Sequence, residues 1–279
     1  MIPLGMAQRV WTALVAMTLI LGSLHWPAWW AFVVVAVLAL FFGGEELARL
    51  LNWGIKSRVS AGIYTAGIAA FCVWASALTP VVLTSVLVAV FAIGCFSLFL
   101  RNTEKPHPLA WLGMGWLSAP ICALVSLHLW SYGHGPNPTA LIFLSLWGGD
   151  SLALMVGKAI GKNLLAPKLS PSKTWEGAIG GFVGALAAAM GFAPAFEASP
   201  WIGAGIGLIC GVLGLLGDLF ESFLKRRMKV KDSGGIFPGH GGMLDRIDSM
   251  LMASIPASAL LLFMESHLFH FESWGRFFR

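Results

Sequence analysis

Long apolar runs dominate the chain, broken by short segments that hold most of its Lys and Arg residues. A helix that crosses a hydrocarbon core of about 30 Å needs about 20 mostly apolar residues. Nine stretches approach that length, at 10–25, 27–43, 60–78, 80–100, 109–130, 139–157, 176–194, 201–222 and 243–264. The pattern predicts an all-α fold, a polytopic membrane bundle of about nine transmembrane helices. The first run begins beside Arg9 and is followed by Leu24-His25-Trp26-Pro27 rather than a small-residue cleavage site. It reads as a retained helix, not a signal peptide. Pro27 and Pro80 fall where the chain must reverse, which suits a residue that opens helices and cannot continue them.

The charges test this count. After runs two, four, six and eight come Arg49, Lys56 and Arg58; Arg101 and Lys105; Lys158, Lys162, Lys168 and Lys173; and Lys225, Arg226, Arg227, Lys229 and Lys231. The alternate connections, 23–27, 77–80, 131–138 and 193–200, carry one charge, Glu197. Positive loops mark the cytoplasmic side, so the N-terminus is expected inside. The tail with Arg276 and Arg279 would then lie outside, an exception. Trp26, Trp29, Trp30, Trp130 and Trp201 collect at the outer ends, as interfacial aromatics do.

Composition agrees. Hydrophobic residues make up 57% of the 279 and charged residues 11%, where soluble domains carry about 45–50% and about 25%. So few charges cannot cover a soluble core. A soluble globular enzyme, a disordered chain and a nucleic-acid binder with an exposed basic face are excluded, and the net charge of +5 reads as topology. Cys72, Cys95, Cys122 and Cys210 sit in apolar runs without ligand spacing and read as small hydrophobes. The pairs Gly177/Gly181 and Gly180/Gly184 and the series Gly203/Gly207/Gly211 put small residues on one helix face, the pattern of close helix packing in membranes. No phosphate-binding G-x-x-x-x-G-K-[ST] loop occurs. The stretch 1–140 reads as scaffold without a motif, and Glu45 and Glu46 beside Arg49 as a charged helix end.

Chemistry is concentrated in 141–279, with basic loops at 158–175 and 222–242. An acid inside a span costs about 2.5–3.5 kcal/mol on insertion scales, so it is read as functional by default. Asp150 lies in run six, Asp218 near the inner end of run eight, and Asp245 and Asp248 open run nine. The last two, three apart, share a helix face at an N-terminus that favours negative charge. Asp218 lies near a C-terminus, where the field is wrong for an anion, and so needs a cation. Between these acids the bases of 225–231 precede Gly234, Gly235, Gly239, Gly241 and Gly242, a turn able to aim backbone amides at one anion and to feed a helix N-terminus. Oxygen-only ligands select Mg2+, which keeps waters and borrows substrate phosphate oxygens. The residues thus point to metal-dependent phosphate chemistry at the inner membrane surface, with a non-catalytic headgroup-binding patch as the alternative. In 165–176, lysines and hydroxyls around a proline turn can hold phosphate, while Ser172 or Thr174 can cap the next helix with Glu176 in its first turn.

The stretch 222–248 resembles the signature of the phosphatidate cytidylyltransferase (CDP-diacylglycerol synthase) family. The matching positions are Ser222, Leu224, Lys225, Arg226, Lys231, Asp232, Gly234, Phe237, Pro238, His240, Gly241, Gly242, Met243, Asp245, Arg246, Ile247 and Asp248. Trp147–Lys158 and Leu165–Gly177 are similar to the family's second segment, with Leu154 and Asn163-Leu164 where members often carry Tyr and a His-Lys pair. The resemblance implies that CTP and phosphatidate react to CDP-diacylglycerol and pyrophosphate in phospholipid biosynthesis, at the cytoplasmic membrane face; the compact chain leads to the expectation of a bacterial plasma membrane. It implies Mg2+, one or two cations, on Asp218, Asp245 and Asp248. Lys225, Arg226 and Arg246 would neutralise developing charge, and Ser222, Lys231, His240, Gly241 and Gly242 would bind the triphosphate region. Asp150, Ser170, Lys173 and Thr174 would shape the lipid-phosphate or nucleotide pocket. The oligomeric state stays open, a homodimer included. The competing readings are a CTP-using polyprenol or phytol kinase and, from another class, a membrane transporter with Asp150 in its path.

Overall fold

The structure is a computed structural model that describes residues 4–51, 53–76, 108–133, 135–230, 232–236 and 241–268. It contains the helices α1 (Leu4–His25), α2 (Trp30–Leu50), α3 (Ile55–Ser76), α4 (Pro108–Ser131), α5 (Thr139–Ile160), α6 (Trp175–Phe192), α7 (Pro200–Arg227) and α8 (Leu244–Leu268). The run at 80–100, with Arg101 and Lys105, lies outside the described residues, as do Lys231, His240 and the C-terminal tail. Among the described residues, six helices are long and apolar enough to cross a membrane; Leu14–His25 and Arg58–Val73 are shorter apolar stretches. The chain is a multi-pass helical membrane protein, though these six do not by themselves establish nine.

Two helices outrun their apolar runs. α2 continues through Glu45, Glu46 and Arg49 to Leu50 rather than ending near 43, and α7 continues through the basic run to Arg227. Glu, Lys and Arg are good helix formers whose long stems cover apolar surface while their heads reach polar surroundings. Hydropathy therefore locates the end of the greasy segment, not of the helix. The loop at 158–175 is also more ordered than a connection between helices requires. It folds as an antiparallel hairpin, β1 (Leu164–Ala166) with β2 (Ser170–Thr174), in which Leu164 opposes Thr174 and Ala166 opposes Ser170. Thr174 then caps α6, its Oγ1 accepting from Gly177 N at 3.1 Å. Glu176 reaches back to accept from the backbone of Lys162 and Asn163 at 3.2–3.3 Å. The hairpin is thereby tied at both strands to the start of α6.

The glycine faces do what their spacing implies. A β-carbon at Gly180 would strike Val156 of α5, one at Gly181 would press on Ala153, and one at Gly184 would overlap the Gly148 carbonyl. On α7, Gly203 meets the Ala189 carbonyl and Gly207 the Leu186 backbone of α6. With no hydrophobic drive between helices in lipid, such close backbone approach supplies the packing. Farther along α7, Gly217 rests on the Asp248 carbonyl of α8, which seats the acid-bearing parts of the two helices against each other. Leu117, Leu124, Leu141, Ile142, Ile206 and Leu251 fill the interior, and Cys72, Cys122 and Cys210 are buried as thiols.

Gly207→Val, which sets a branched side chain against the Leu186 backbone, is expected to destabilise the bundle by about 1–3 kcal/mol or more. Thermal unfolding in detergent, compared with the same substitution at the exposed Leu208, measures it.

Candidate active site

The C-terminal ends of α2, α5 and α7 and the N-terminal ends of α6 and α8 meet at the end of the bundle that carries the basic loops. Two carboxylate networks lie there. The first joins three helices and the hairpin. The Lys173 ammonium, on β2, pairs with Asp218 of α7. This is the cation that Asp218 requires, and it arrives from the loop rather than from α7 itself. Asp248 of α8 stands within electrostatic reach of Asp218, Asp150 and Lys173. Asp150 of α5 is exposed and feels Asp218, Lys173 and Arg246. Asp248 Oδ1 accepts from Ser249 N at 2.7 Å, which leaves its other oxygen unengaged by that bond. Three acids therefore share one ammonium, and the Arg246 guanidinium lies within reach of Asp150.

The second network is more buried. Lys225 lies between Glu221, at 2.5 Å, and Asp245, at 2.6 Å. Glu221 is 1% exposed and its oxygens accept no well-formed hydrogen bond from the described residues, so the Lys225 charge is what offsets it. The other oxygen of Asp245 accepts from Gly242 N at 2.7 Å, Ser233 N at 3.1 Å and Ser233 Oγ at 3.0 Å. Both Asp245 oxygens are thus occupied by Lys225 and the loop, while Glu221 lies within electrostatic reach of Asp248, so this network adjoins the first. Gly241 has φ +79° and a β-carbon there would overlap Asp245; the turn closes around the carboxylate only because that position lacks a side chain.

A third acid completes this corner. Glu46 of α2, 1% exposed, accepts from Met243 N and Leu244 N, each at 2.9 Å, and from Ser233 Oγ at 3.1 Å. Two of the N–H groups that open α8 and lack partners within it are thus met from the other half of the chain. Sequence reading treated Glu46 as a helix-end charge because the apolar run seemed to stop before it. The rule that singles out an acid at membrane depth would have flagged it had the helix been extended. Glu221 was also missed, although its spacing of four from Lys225 is an ion-pair signal.

Of the other expected residues, Ser222 is half-buried on α7 and Ser170 opens β2. Arg226 donates from Nε to the Leu169 carbonyl at 3.2 Å, linking the end of α7 to the hairpin turn. Arg246 is exposed beside Asp150. Gly242 is buried against Ser233 and Glu46. A cavity of about 370 Å³, lined by Arg49, Met228, Val230, Asp232 and the residues Ser233, Gly234 and Gly235, opens beside the same loop. Among the described residues, no group of three His, Cys, Asp or Glu side chains is arranged to hold a metal ion as it stands.

Residues 7–264 match the model of the cytidylyltransferase family. A phosphatidate cytidylyltransferase of Brucella abortus biovar 1 (strain 9-941) is 31% identical over 279 residues, covering 95% of this chain and 94% of that protein. This chain belongs to the cytidylyltransferase family. Shorter matches are closer in sequence. The phosphatidate cytidylyltransferase of Haemophilus influenzae is 40% identical over 147 residues, about half of each chain (49% and 50%). That of Staphylococcus aureus (strain COL) is 47% identical over 122 residues, 43% of this chain and 46% of the other. The cytidylyltransferase signature identified in 222–248 maps onto the end of α7, the glycine turn and the start of α8, where both carboxylate networks lie. The chain is an enzyme of this type, carried on a membrane bundle.

Lys225→Met is expected to cost about 3–5 kcal/mol, because it leaves the buried Glu221 and Asp245 carboxyls without their shared cation. Unfolding in detergent reads this loss, and the double variant Lys225→Met/Glu221→Gln should recover part of it.

Proposed function

We propose that the chain transfers the cytidylyl group of CTP to phosphatidate, giving CDP-diacylglycerol and pyrophosphate, with its site at the cytoplasmic membrane face. The observation that carries this reading is the convergence of Asp150, Asp218 and Asp248, from three helices, on Lys173, with Arg246 within electrostatic reach of Asp150. The orientation rests on the positive charge of the loops at this end, and the two substrates on what the relatives are named for. In the reaction an oxygen of the lipid phosphate attacks the α-phosphorus of CTP, and the bond from that phosphorus to the bridging oxygen of the β-phosphate breaks. The lipid phosphate is already ionised near neutral pH, so no strong base is needed. The barrier lies in bringing several negative charges together and in orienting them.

Those tasks match the residues. Lys173 and Arg246, beside the acids, are placed to meet phosphate oxygens and to offset charge that builds on the leaving group. Arg226, fixed to the hairpin turn, holds the α7 end and β2 in register, so that Lys173 stays aimed at Asp218. Lys225, held by Glu221 and Asp245, keeps Asp245 in place against the glycine turn, whose Gly242, Met243 and Leu244 amides are taken by Asp245 and Glu46 rather than left for a phosphate. The donor set also suits a hard cation. Asp218, Asp248 and Asp150 offer oxygen alone, and Mg2+ is usually held by one or two carboxylates together with substrate phosphate oxygens. Asp218 and Asp248, with Asp150 beside them, would hold it, while Asp245 keeps the loop in place unless Lys225 releases it. When bound, Mg2+ supplies positive charge to the triphosphate oxygens.

Purified protein given CTP labelled at the α-phosphate and phosphatidate should place label in the lipid and release pyrophosphate. Label left in CDP would instead indicate a kinase. Asp218→Asn and Asp248→Asn should each lower turnover by about 100-fold or more while the protein still inserts, and chelation of divalent ions should stop a reaction that added Mg2+ restores. Lys173→Ala should lower turnover in the same way, with Lys173→Arg recovering part of it. An Asp218→Asn or Asp248→Asn protein with near-normal turnover would remove that residue from the metal site.

A further inference from the structure

An acid far from the signature in sequence is deeply engaged with it. Glu46 lies on α2, 187 residues from Ser233 and 198 from Leu244, and accepts hydrogen bonds from both. Its Oε1 accepts from Met243 N and its Oε2 from Leu244 N, so the carboxylate grips the first amides of α8 with both oxygens. Hydrogen bonds to an ionised acceptor are about twice as strong as neutral ones. The Ser233 hydroxyl lies between Glu46 Oε2, at 3.1 Å, and Asp245 Oδ2, at 3.0 Å. Its single proton is shared between two acids, and so couples the position of α2 to that of Asp245. The glycines of the turn are shaped around the same carboxylate. The three atoms nearest a β-carbon at Gly234 would all belong to Glu46, and one at Gly242 would overlap Ser233 Oγ and both Glu46 oxygens. Around the base of the side chain, Gly43 packs on Leu117 and Leu244, so α2 itself is seated on the start of α8.

We infer that Glu46 is a positioning residue of the reaction: it clamps the glycine turn and the N-terminus of α8 and so fixes where Asp245, Arg246 and Asp248 stand. α8 is a rigid element on which Asp248 lies one turn beyond the clamped amides. Freeing those amides lets the first turn fray or rotate, and a displacement of about 1 Å at reacting groups costs about 100-fold in rate. Glu46 touches neither the acids of the first network nor Lys173, so its loss weakens alignment rather than the charges themselves. The neighbouring Glu45 pairs with Arg58 at 3.7 Å, away from the turn, and has no such role. The clamp also explains why the N-terminal half is more than a scaffold: one of its helices holds the signature loop in shape. This inference rests on the cytidylyl-transfer reading above.

The test compares wild type, Glu46→Ala, Glu46→Gln, Glu45→Gln, Gly234→Ala and the double variant Glu46→Ala/Gly234→Ala, each full-length in detergent, by pyrophosphate release from CTP and phosphatidate. Glu46→Ala is expected to lower kcat by about 10- to 100-fold, with KM for phosphatidate changed by less than about threefold, and Glu45→Gln to act as wild type. Glu46→Gln keeps the length and one accepting oxygen, so it folds where the alanine variant does not and shows a smaller loss in kcat of the same kind. Gly234→Ala lowers kcat in the wild type because its methyl meets the Glu46 carboxylate, and costs nothing further once Glu46 is Ala. Equal, independent losses from Gly234→Ala in both backgrounds would overturn the clamp, as would kcat within about twofold of wild type in Glu46→Gln and Glu46→Ala, or a loss confined to KM. Wild-type protein that releases no pyrophosphate would overturn the cytidylyl-transfer reading itself and this role with it. Normal wild-type turnover that is indifferent to Glu46 would overturn this role alone.

Discussion

A carboxylate withdrawn into an apolar bundle must be met by a cation or by donated hydrogen bonds, and the whole of this site follows from how each acid is met. Isolated charges in a low-dielectric setting cost several kcal/mol even after relaxation. Here most of the acids are met from outside their own helix, Glu221 being the exception. Asp218 of α7 is answered by Lys173 from a β-hairpin, Glu221 by Lys225 one turn farther along α7, Asp245 by that same Lys225 and the glycine turn, and Glu46 by the first amides of α8. Satisfying the charges and assembling the site are one process.

The two networks have different characters. The Glu46, Ser233, Asp245, Lys225 and Glu221 set is closed: donors and acceptors are matched within it, apart from the Glu221 oxygens that rely on charge alone, and it joins α2, α7 and α8. Such a network gives rigidity. The Asp150, Asp218 and Asp248 set is open, with three acids against Lys173 and Arg246 and with Asp150 and Arg246 exposed. Its excess negative charge suits a place where further cations and phosphates are to meet. A rigid closed network beside an underneutralised open one is the arrangement that catalysis by positioning requires.

Backbone proximity makes this possible. Gly217 lets α7 rest on the Asp248 carbonyl, and Gly177, Gly181 and Gly184 let α6 lie on α5. The acids at the ends of these helices are brought together by contacts that contain no acid at all. The glycine faces are therefore part of the site's geometry, even though they touch none of its chemistry.

Most of the membrane architecture was legible in the chain, because the length and charge rules for spans are set by the bilayer and act locally. The capping of α6 by Thr174, the need of Asp218 for a cation, and the signature of 222–248 were legible for the same reason: each depends on residues a few positions apart or on a single helix field. The ends of α2 and α7 were not, since hydropathy stops where charged helix formers begin. Nor was the hairpin at 164–174, whose short strands carry no clear alternation. Which acids share a site was beyond local reading. Asp245 and Asp248 lie three apart on one helix and are held by different partners, and Glu46, nearly 200 residues away, shares the Ser233 hydroxyl with Asp245. Sequence spacing settles which residues can lie on one face of a helix; only the packing of α2, α5, α7 and α8 decides which charges face each other, because that depends on how close the backbones come and on what each buried carboxylate finds there.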